Sequence, residues 1–568
     1  MRGVLAERMY YLFLARSLPA WSESLPLPPL PPSAEPDVRL RNVEGTPLPP
    51  SPSEPIVPHG AELSAPEGAD LITFTLTAIE LDGLTAYPAS TFDDILKPLY
   101  GTRVSLAQVY AVAAEIQRRY RNDGYFLSRV LVPPQHIVGG RVRLDVAEGH
   151  VDRVEIQDDV GGVQKLLESY FDHITAEKPL RLQTLERYLL LANDVPGIEV
   201  KGILQPSQET IGAARLVVTA KRKKFDGLAL VDNIGSTFTG KWEMAGRATS
   251  NSFTRLGESL GVTALISSPE KGINGDQKNQ KVGAVNGSFR VGDNGTYVNT
   301  LISYGNSNPG SIISEFDYNS TQLLASLGVG YPIIRSRDHN LFVEGGFDYV
   351  DSDTDVFTDV AFVRDRIRTL WLTASYDFRD RWRGSTYLSL GVRQGLDWLG
   401  ASQPEDPLLS RYDAQGEFTA LRATASRIQG VTEHWAIYGI VSGQYAFTPV
   451  LSEEEFDVGG IDFGRGYNPK EISGDRGVGL TTEIQYTRPS AWSFLDRYQG
   501  FAFFDFGSVW QSGLDLSQSL SSTGGGLRGW FARDLSMELL VAKPLTRPSQ
   551  RADGTKDPQL LFRLIALF

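Results

Sequence analysis

Across residues 225–568, apolar and polar side chains alternate one by one within short segments, and this period of two leaves the chain few possible folds. In "KWEMAGRA", Trp242, Met244, Gly246 and Ala248 alternate with Lys241, Glu243, Ala245 and Arg247. In "TLWLTASYDF", Leu370, Leu372, Ala374, Tyr376 and Phe378 alternate with Thr369, Thr373, Ser375 and Asp377. In "YLSLGVRQGLDW", Leu388, Leu390, Val392, Leu396 and Trp398 share one face, while Ser389, Arg393 and Asp397 share the other. Successive side chains of a strand point to opposite faces, so each segment has one apolar and one wet face. No apolar run approaches the ~20 residues a membrane-crossing helix needs. Hydrophobic residues make up only 41% of the chain, which excludes a helical membrane protein. A soluble all-β domain and a membrane barrel remain, since in a barrel only alternate residues meet lipid.

Three features favour the barrel. Aromatic residues recur near the ends of the strand-like segments. Polar connections such as "SSPEKGINGDQKNQK" are long. The chain finishes as "LLFRLIALF", with Leu560, Phe562, Leu564, Ala566 and Phe568 on one face, as expected of a last strand that closes a barrel in lipid. At roughly 20–22 residues per strand and loop, residues 225–568 provide for about sixteen antiparallel strands.

The region before the barrel reads differently. Residues 1–20 carry early arginines around a short apolar patch, which suits either a signal-like segment or a helix that plugs a pore. Residues 21–69 are rich in proline ("LPLPPLPPSAEP", "TPLPPSPSEPIVP") and read as a semi-rigid linker with no core of its own. Residues 70–149 and 150–224 are α+β in character, each ordered strand–helix–helix–strand–strand, and so form an architectural duplication. In the first, "SLAQVYAVAAEIQRRYRNDGYF" places Leu106, Val109, Ala113, Ile116 and Tyr120 on one helical stripe. In "RVRLDVAEGHV", Val142, Leu144 and Val146 face inward. "KRKKFDG", residues 221–227, stands where the second unit meets the barrel and is expected to face lipid phosphates or acidic barrel turns.

One stretch breaks the strand pattern: "VGGIDFGRGYNPKEISGDRG", residues 458–477, in which six of twenty residues are glycine. With two β-α-α-β-β units ahead of a barrel, the chain resembles the outer-membrane transporters of two-partner secretion systems, the relatives of the filamentous haemagglutinin and haemolysin exporters. The repeated units resemble polypeptide-transport-associated (POTRA) domains, and the likeness covers residues 70–568. Its most specific part is residues 443–486, where a Gly-Gly pair (Gly459, Gly460) precedes an Arg-Gly-aromatic tripeptide (Arg465, Gly466, Tyr467). "DNIGSTFTG" from Asp232 and "FAFFDFGSVW" near the end are also similar to family segments.

The resemblance implies that residues around 458–477 form a sixth extracellular loop folded back into the barrel. There Arg465 would pair with an acid of the wall, Asp505. The chain departs from the family at Gly464, where a β-branched residue is usual. The residues alone leave room for a solvated surface loop, and Phe503 and Gly507, which share a face with Asp505, do not advertise a polar lumen. A loop crossing a water-filled lumen nevertheless needs an anchor. Arginine can give a carboxylate a bidentate, charge-assisted bond, and glycines let the backbone approach the wall.

No chemistry of another class emerges. A formal charge of −13 argues against nucleic acid as a partner. There are no cysteines, and the six histidines are scattered. No complete phosphate-binding Gly-x-x-x-x-Gly-Lys-Ser/Thr and no Gly-x-Ser-x-Gly elbow occurs. "TGGGLRGW", from Thr523, reads as close backbone packing, and the acids of "SEEEFD", residues 452–457, read as a solvated loop. The expectation is thus a protein with no catalytic residue, cofactor or metal ion. The resemblance implies a Gram-negative outer-membrane pore with its N-terminal domains in the periplasm. Its partners would be membrane lipid and a large secreted β-helical exoprotein (adhesin, haemolysin or toxin) captured by the POTRA units. An assembly factor that inserts other barrels is the alternative within the same superfamily.

Overall fold

The computed structural model describes residues 30–40, 63–207, 212–271, 277–357, 359–513, 516–531, 534–552 and 554–568. The expected N-terminal segment 1–20 lies outside them. Of the expected linker, only residues 30–40 and 63–69 lie inside.

Residues 225–568 form a closed antiparallel barrel of sixteen strands. In chain order these are β1 (Phe225–Asp232), β2 (Glu243–Asn251), β3 (Ser259–Ser267) and β4 (Gln280–Val291). Next come β5 (Thr296–Ser307), β6 (Asn319–Arg335), β7 (His339–Val356) and β8 (Val360–Arg379). β9 (Gly384–Gly395), β10 (Thr419–Gly430), β11 (Trp435–Ala446) and β12 (Arg476–Pro489) follow. β13 (Leu495–Gln511), β14 (Leu516–Phe531), β15 (Leu535–Pro544) and β16 (Gln559–Leu567) complete the ring. β16 closes on β1 in a register running from Arg563 opposite Asp232 to Leu567 opposite Leu228.

The alternation in the sequence becomes the two faces of this wall. On β3, Leu260, Val262 and Ile266 are exposed on the outside, while Thr263, Leu265 and Ser267 are buried within. On β13, Ala502, Phe504 and Trp510 face out, and Phe501, Phe503, Asp505, Gly507 and Val509 face in. An exposed apolar exterior around a partly charged interior is the arrangement of a wall standing in lipid.

Ahead of the barrel are two small α/β units. Each has a three-stranded sheet in which the third strand lies centrally, parallel to the first and antiparallel to the second. The first comprises Ala78–Asp82, Arg129–Leu131 and Arg141–Ala147, the second His150–Ile156, Ile198–Pro206 and Ala213–Arg222. Helix Leu106–Asn122 starts at a capping box between Ser105 and Gln108 and buries Val109, Ala113, Ile116 and Tyr120. Gly124 follows with φ +94°, which ends the helix. The first unit's other helix shrinks to one turn, Asp93–Leu96, because Pro98 lies two residues beyond it. The second unit has two full helices, Gln164–Ala176 and Leu182–Asn193, packed over a core that includes Leu167, Tyr170, Leu185 and Leu216.

The second unit is fixed to one end of the barrel. Arg335, at the end of β6, binds both oxygens of Asp194 at 2.7 Å. Arg187 donates to the Pro332 carbonyl at 3.0 Å, and Arg222, from "KRKKFDG", donates to the Ser252 carbonyl at 3.1 Å. The turns after β2, β4 and β6 therefore face the α/β units. The other eight connections, of which residues 447–475 are the sixth and the longest, lie at the far end.

Residues 32–40 behave unlike a spacer. Ala34, Val38 and Leu40 are buried. Val38 packs with Leu324, Val350 and Ile367, and Leu40 packs with Leu228, Leu230 and Ala245, all from the inner wall. This part of the proline-rich segment finds its core inside the barrel rather than in itself.

Candidate functional site

The sixth loop folds inward and is held at two places. Its limbs, Phe456–Val458 and Ile472–Gly474, pair as a short antiparallel hairpin, and Gly460 bridges Gly464 near the tip. From this tip Arg465 reaches the wall. Its Nε and Nη2 donate to the two oxygens of Asp505 at 3.1 and 2.8 Å, and its backbone N–H donates to the same carboxylate at 3.0 Å. Nη1 donates to Glu483 of β12 at 2.6 Å. Arg465, Asp505 and Glu483 are 3, 0 and 4% exposed, so this cluster is shielded from solvent screening.

The strand register explains why β13 can carry a buried aspartate. Thr481 and Ser522 lie directly opposite Asp505 on the neighbouring strands, and their hydroxyls donate to it at 3.0 and 3.1 Å. Phe503, which seemed out of place beside an acid, lies beneath the arginine, with the guanidinium carbon 3.6 Å from its ring centroid. The cluster continues along the wall. Arg528 donates to both oxygens of Glu483 at 2.9 and 3.0 Å, pairs with Glu538, and lies 3.8 Å over the Phe501 ring. Glu483, Arg528 and Glu538 were not foreseen from the sequence. The available signal was a charge in mid-strand on the inward face, a position that requires a partner.

The remaining loop residues fit the wall by shape. Tyr467 is buried, with its hydroxyl 3.2 Å from the carbonyls of Ser521 and Arg547. A β-carbon on Gly466 would come within 2.9 Å of the Pro544 nitrogen, so only glycine lets the loop lie this close to β15. At Gly464 a β-carbon would stand 2.7 Å from Leu520 Cδ1 and 3.1 Å from Gly459 Cα. A β-branched residue there would press on both. Gly459 and Gly460 turn the backbone at φ +125° and +76°.

The second hold corrects the reading of "SEEEFD" as a solvated acidic surface. Glu453, Glu454 and Glu455 are all buried. Glu454 receives Nε and Nη2 of Arg393 on β9, both at 2.7 Å, and Arg422 of β10 at 3.1 Å. Arg393 also binds Asp348 of β7 at 2.9 Å. Below the hairpin, Arg411 of the fifth loop ties Glu455 and Asp475 at 2.9 and 2.6 Å. At the tip, the Asn468 amide donates to Thr237 of the first loop at 2.8 Å. Thus β12–β15 hold the tip of the loop, and β7, β9 and β10 hold the start of its first limb.

A barrel behind paired α/β units, with a loop clamped across its lumen, is the architecture of an outer-membrane protein transporter. The haemolysin secretion/activation protein family ShlB/FhaC/HecB matches residues 212–529, and the ShlB-type POTRA domain matches residues 74–149. The chain belongs to this family, whose members are outer-membrane transporters of two-partner secretion with periplasmic POTRA domains. It is 24% identical over 467 residues to the heme/hemopexin transporter protein HuxB of Haemophilus influenzae (strain 86-028NP), covering 81% of each chain. It is 23% identical over 463 residues to the outer membrane transporter CdiB of Dickeya dadantii (strain 3937), covering 78% of each. Among solved structures, CdiB from Escherichia coli superposes with a TM-score of 0.73 at 20% identity, covering 89% of this chain and 92% of that one.

Proposed function

We propose that this transporter captures a large, unfolded exoprotein in the periplasm and threads it through the barrel lumen to the cell surface or medium. The exported chain then folds outside as a β-helix. The observation that carries this reading is the inward loop, which crosses the lumen and is seated on the wall by the Arg465 and Glu454 ion pairs and by an apolar cluster of Val458, Phe463, Tyr467 and Ile472 against Tyr438, Ile440, Val509 and Leu520. Such a crossing can be released and remade without unfolding the wall.

The periplasmic units supply the receptor. The strand Arg141–Ala147 is central in its sheet and has no free edge. Ile198–Pro206 lies at a sheet edge, is nine residues long and carries an exposed Ile203. An extended client segment could add to that edge by backbone hydrogen bonding. The sequence holds no complete Gly-x-x-x-x-Gly-Lys-Ser/Thr phosphate loop, and folding of the client outside would supply direction; a folded domain offers about 5–15 kcal/mol. Arg465, Gly466, Tyr467 and Asp505 would keep the loop seated between export events, with Gly459, Gly460 and Gly464 shaping its tip.

The test is deletion of the gene, followed by measurement of surface and secreted levels of a neighbouring-gene exoprotein and of unrelated barrels. Loss of the exoprotein with normal barrels supports export. Continued export with failing barrels would favour the assembly-factor reading.

A further inference from the structure

The outer face of the wall carries a polar platform at its far end, between β11 and β14. Tyr445, Arg476 and Trp510 stand side by side in register on β11, β12 and β13. Tyr445 and Trp510 are exposed on the outside, and Ser517 of β14 lies opposite Trp510. Ser508 and Ser519 form the next outward pair toward the middle of the wall. Tryptophan and tyrosine on a membrane barrel gather at the level of the lipid headgroups, so an arginine between two of them stands at that level too. The Arg476 guanidinium carbon lies 4.2 Å from the Tyr445 ring centroid, and its Nε donates to the Ala446 carbonyl at 3.1 Å. Among the described residues no carboxylate pairs with it. Asp475 and Asp413, acids of this rim, are both bound by Arg411, at 2.6 and 3.0 Å. A cavity of about 640 Å³ opens beside Arg476 and is bordered by Trp510, Ser512 and Ser517. The Ser512 hydroxyl is shielded from solvent yet has no hydrogen-bond partner among the described residues. A second depression, of about 520 Å³, crosses the outside of β8–β12 below the platform. Leu388, Leu390 and Val441 border it around the smaller Ala423 and Ala425. Its upper end is at Gly443 and Val478, two residues from Tyr445 and Arg476 respectively.

We propose that this face binds a phosphorylated glycolipid of the outer leaflet, with a headgroup phosphate on Arg476, sugar hydroxyls on the serines and acyl chains in the depression below. Each part of the ligand answers one feature of the wall. A cation without an acid calls for an anion with several acceptor oxygens. The row of serine hydroxyls suits a sugar, which a simple phospholipid lacks. The apolar depression calls for hydrocarbon, which free phosphate lacks. The platform stands at both roots of the sixth loop, since Ala446 ends β11 and Arg476 begins β12. Its occupation does not depend on the export reading, because lipid binding can be measured without any client.

The experiment is native mass spectrometry of the purified, delipidated full-length protein in detergent, titrated with bisphosphorylated lipid A. Wild type is expected to bind lipid A about tenfold more tightly than lipid A stripped of its phosphates, the worth of one charge-assisted hydrogen bond. In Arg476→Gln that preference is expected to vanish. Ala423→Trp fills the depression from the lipid side and is expected to weaken both forms alike. Arg497→Gln, which removes another exposed arginine, over Trp530 on β13 and β14, is expected to leave binding unchanged. Equal binding of the two lipids by wild type, a comparison that needs no variant, would overturn the phosphate site, and so would an unchanged preference in Arg476→Gln. An equal loss in Arg497→Gln would overturn its location. Phosphatidylglycerol bound as tightly as lipid A would overturn the choice of a glycolipid. Intact folding of each variant is read from the heat-modifiable mobility of the barrel on gels.

Discussion

Replacing Arg465 by alanine is the perturbation with the largest expected effect on the seating of the sixth loop. It removes three charge-assisted side-chain bonds, at 3.1, 2.8 and 2.6 Å, together with the stacking on Phe503. The carboxylates left behind are not stranded. Asp505 keeps the hydroxyls of Thr481 and Ser522 and the backbone N–H of residue 465, and Glu483 keeps Arg528 and Gln485. The cost should then fall near the lower end of the ~3–5 kcal/mol for breaking a buried pair, at about 3 kcal/mol. That corresponds to a roughly 10²-fold rise in the fraction of undocked loop. Arg465→Lys keeps the charge but not the planar fork, so it should show a smaller rise. The assay is maleimide labelling of a single cysteine at Ile461, near the loop tip, in this cysteine-free chain. Labelling should rise in the order wild type, Arg465→Lys, Arg465→Ala, with secretion falling in the same order while the barrel still inserts. Equal labelling and normal secretion in all three would refute the view that Arg465 holds the loop.

Other changes probe separate parts of the account. Gly464→Val, which brings side-chain atoms against Leu520 and Gly459, should destabilise the docked loop by about 1–3 kcal/mol and raise the same labelling without removing any charge. Glu454→Gln should free the start of the first limb and increase protease cleavage within residues 447–475, leaving the Arg465 cluster intact. Asp194→Ala breaks the bidentate bond to Arg335, and should speed backbone hydrogen exchange in Leu182–Asn193 without changing the barrel melting temperature. In the first α/β unit, burial alone would raise the Glu148 pKa. The N–H of Ala86 and the donors of Thr85 and Tyr120 outweigh burial and hold it below the ordinary 4.5. A depressed carboxyl pKa stabilises the fold above the unfolded value, and the contribution disappears as pH falls through the folded value. Glu148→Gln should therefore speed exchange in Leu106–Asn122 at pH 7, with the difference from wild type vanishing in acid below pH 4.5.

Local patterning made the fold legible, whereas pairing across the barrel hid much of the site. Period-two segments announced β2, β8 and β9 because each strand carries its own apolar face. The Arg465–Asp505 contact came from the family likeness, because β13 reads Phe503-x-Asp505-x-Gly507 and looks dry. Its wetness is supplied from neighbouring strands, by Thr481, Ser522 and Glu483, and no single segment displays that. Glu454 finds Arg393 sixty-one residues away in sequence, so the three glutamates of "SEEEFD" look solvated in isolation. The seat of residues 32–40 inside the barrel was hidden by the prolines around it. Composition marked 21–69 as a spacer, while Val38 and Leu40 find an apolar seat only once the barrel exists.

The central claim is that a client chain crosses through the lumen, and two adjacent positions on β5 test it most directly. Ser303 is buried on the inner face and Ile302 is 59% exposed on the outer. A photo-crosslinking residue placed at each position, illuminated during secretion, should capture the exoprotein from position 303 and not from position 302. Capture from 302 alone, or capture of other barrel proteins in place of the exoprotein, would contradict passage through the lumen.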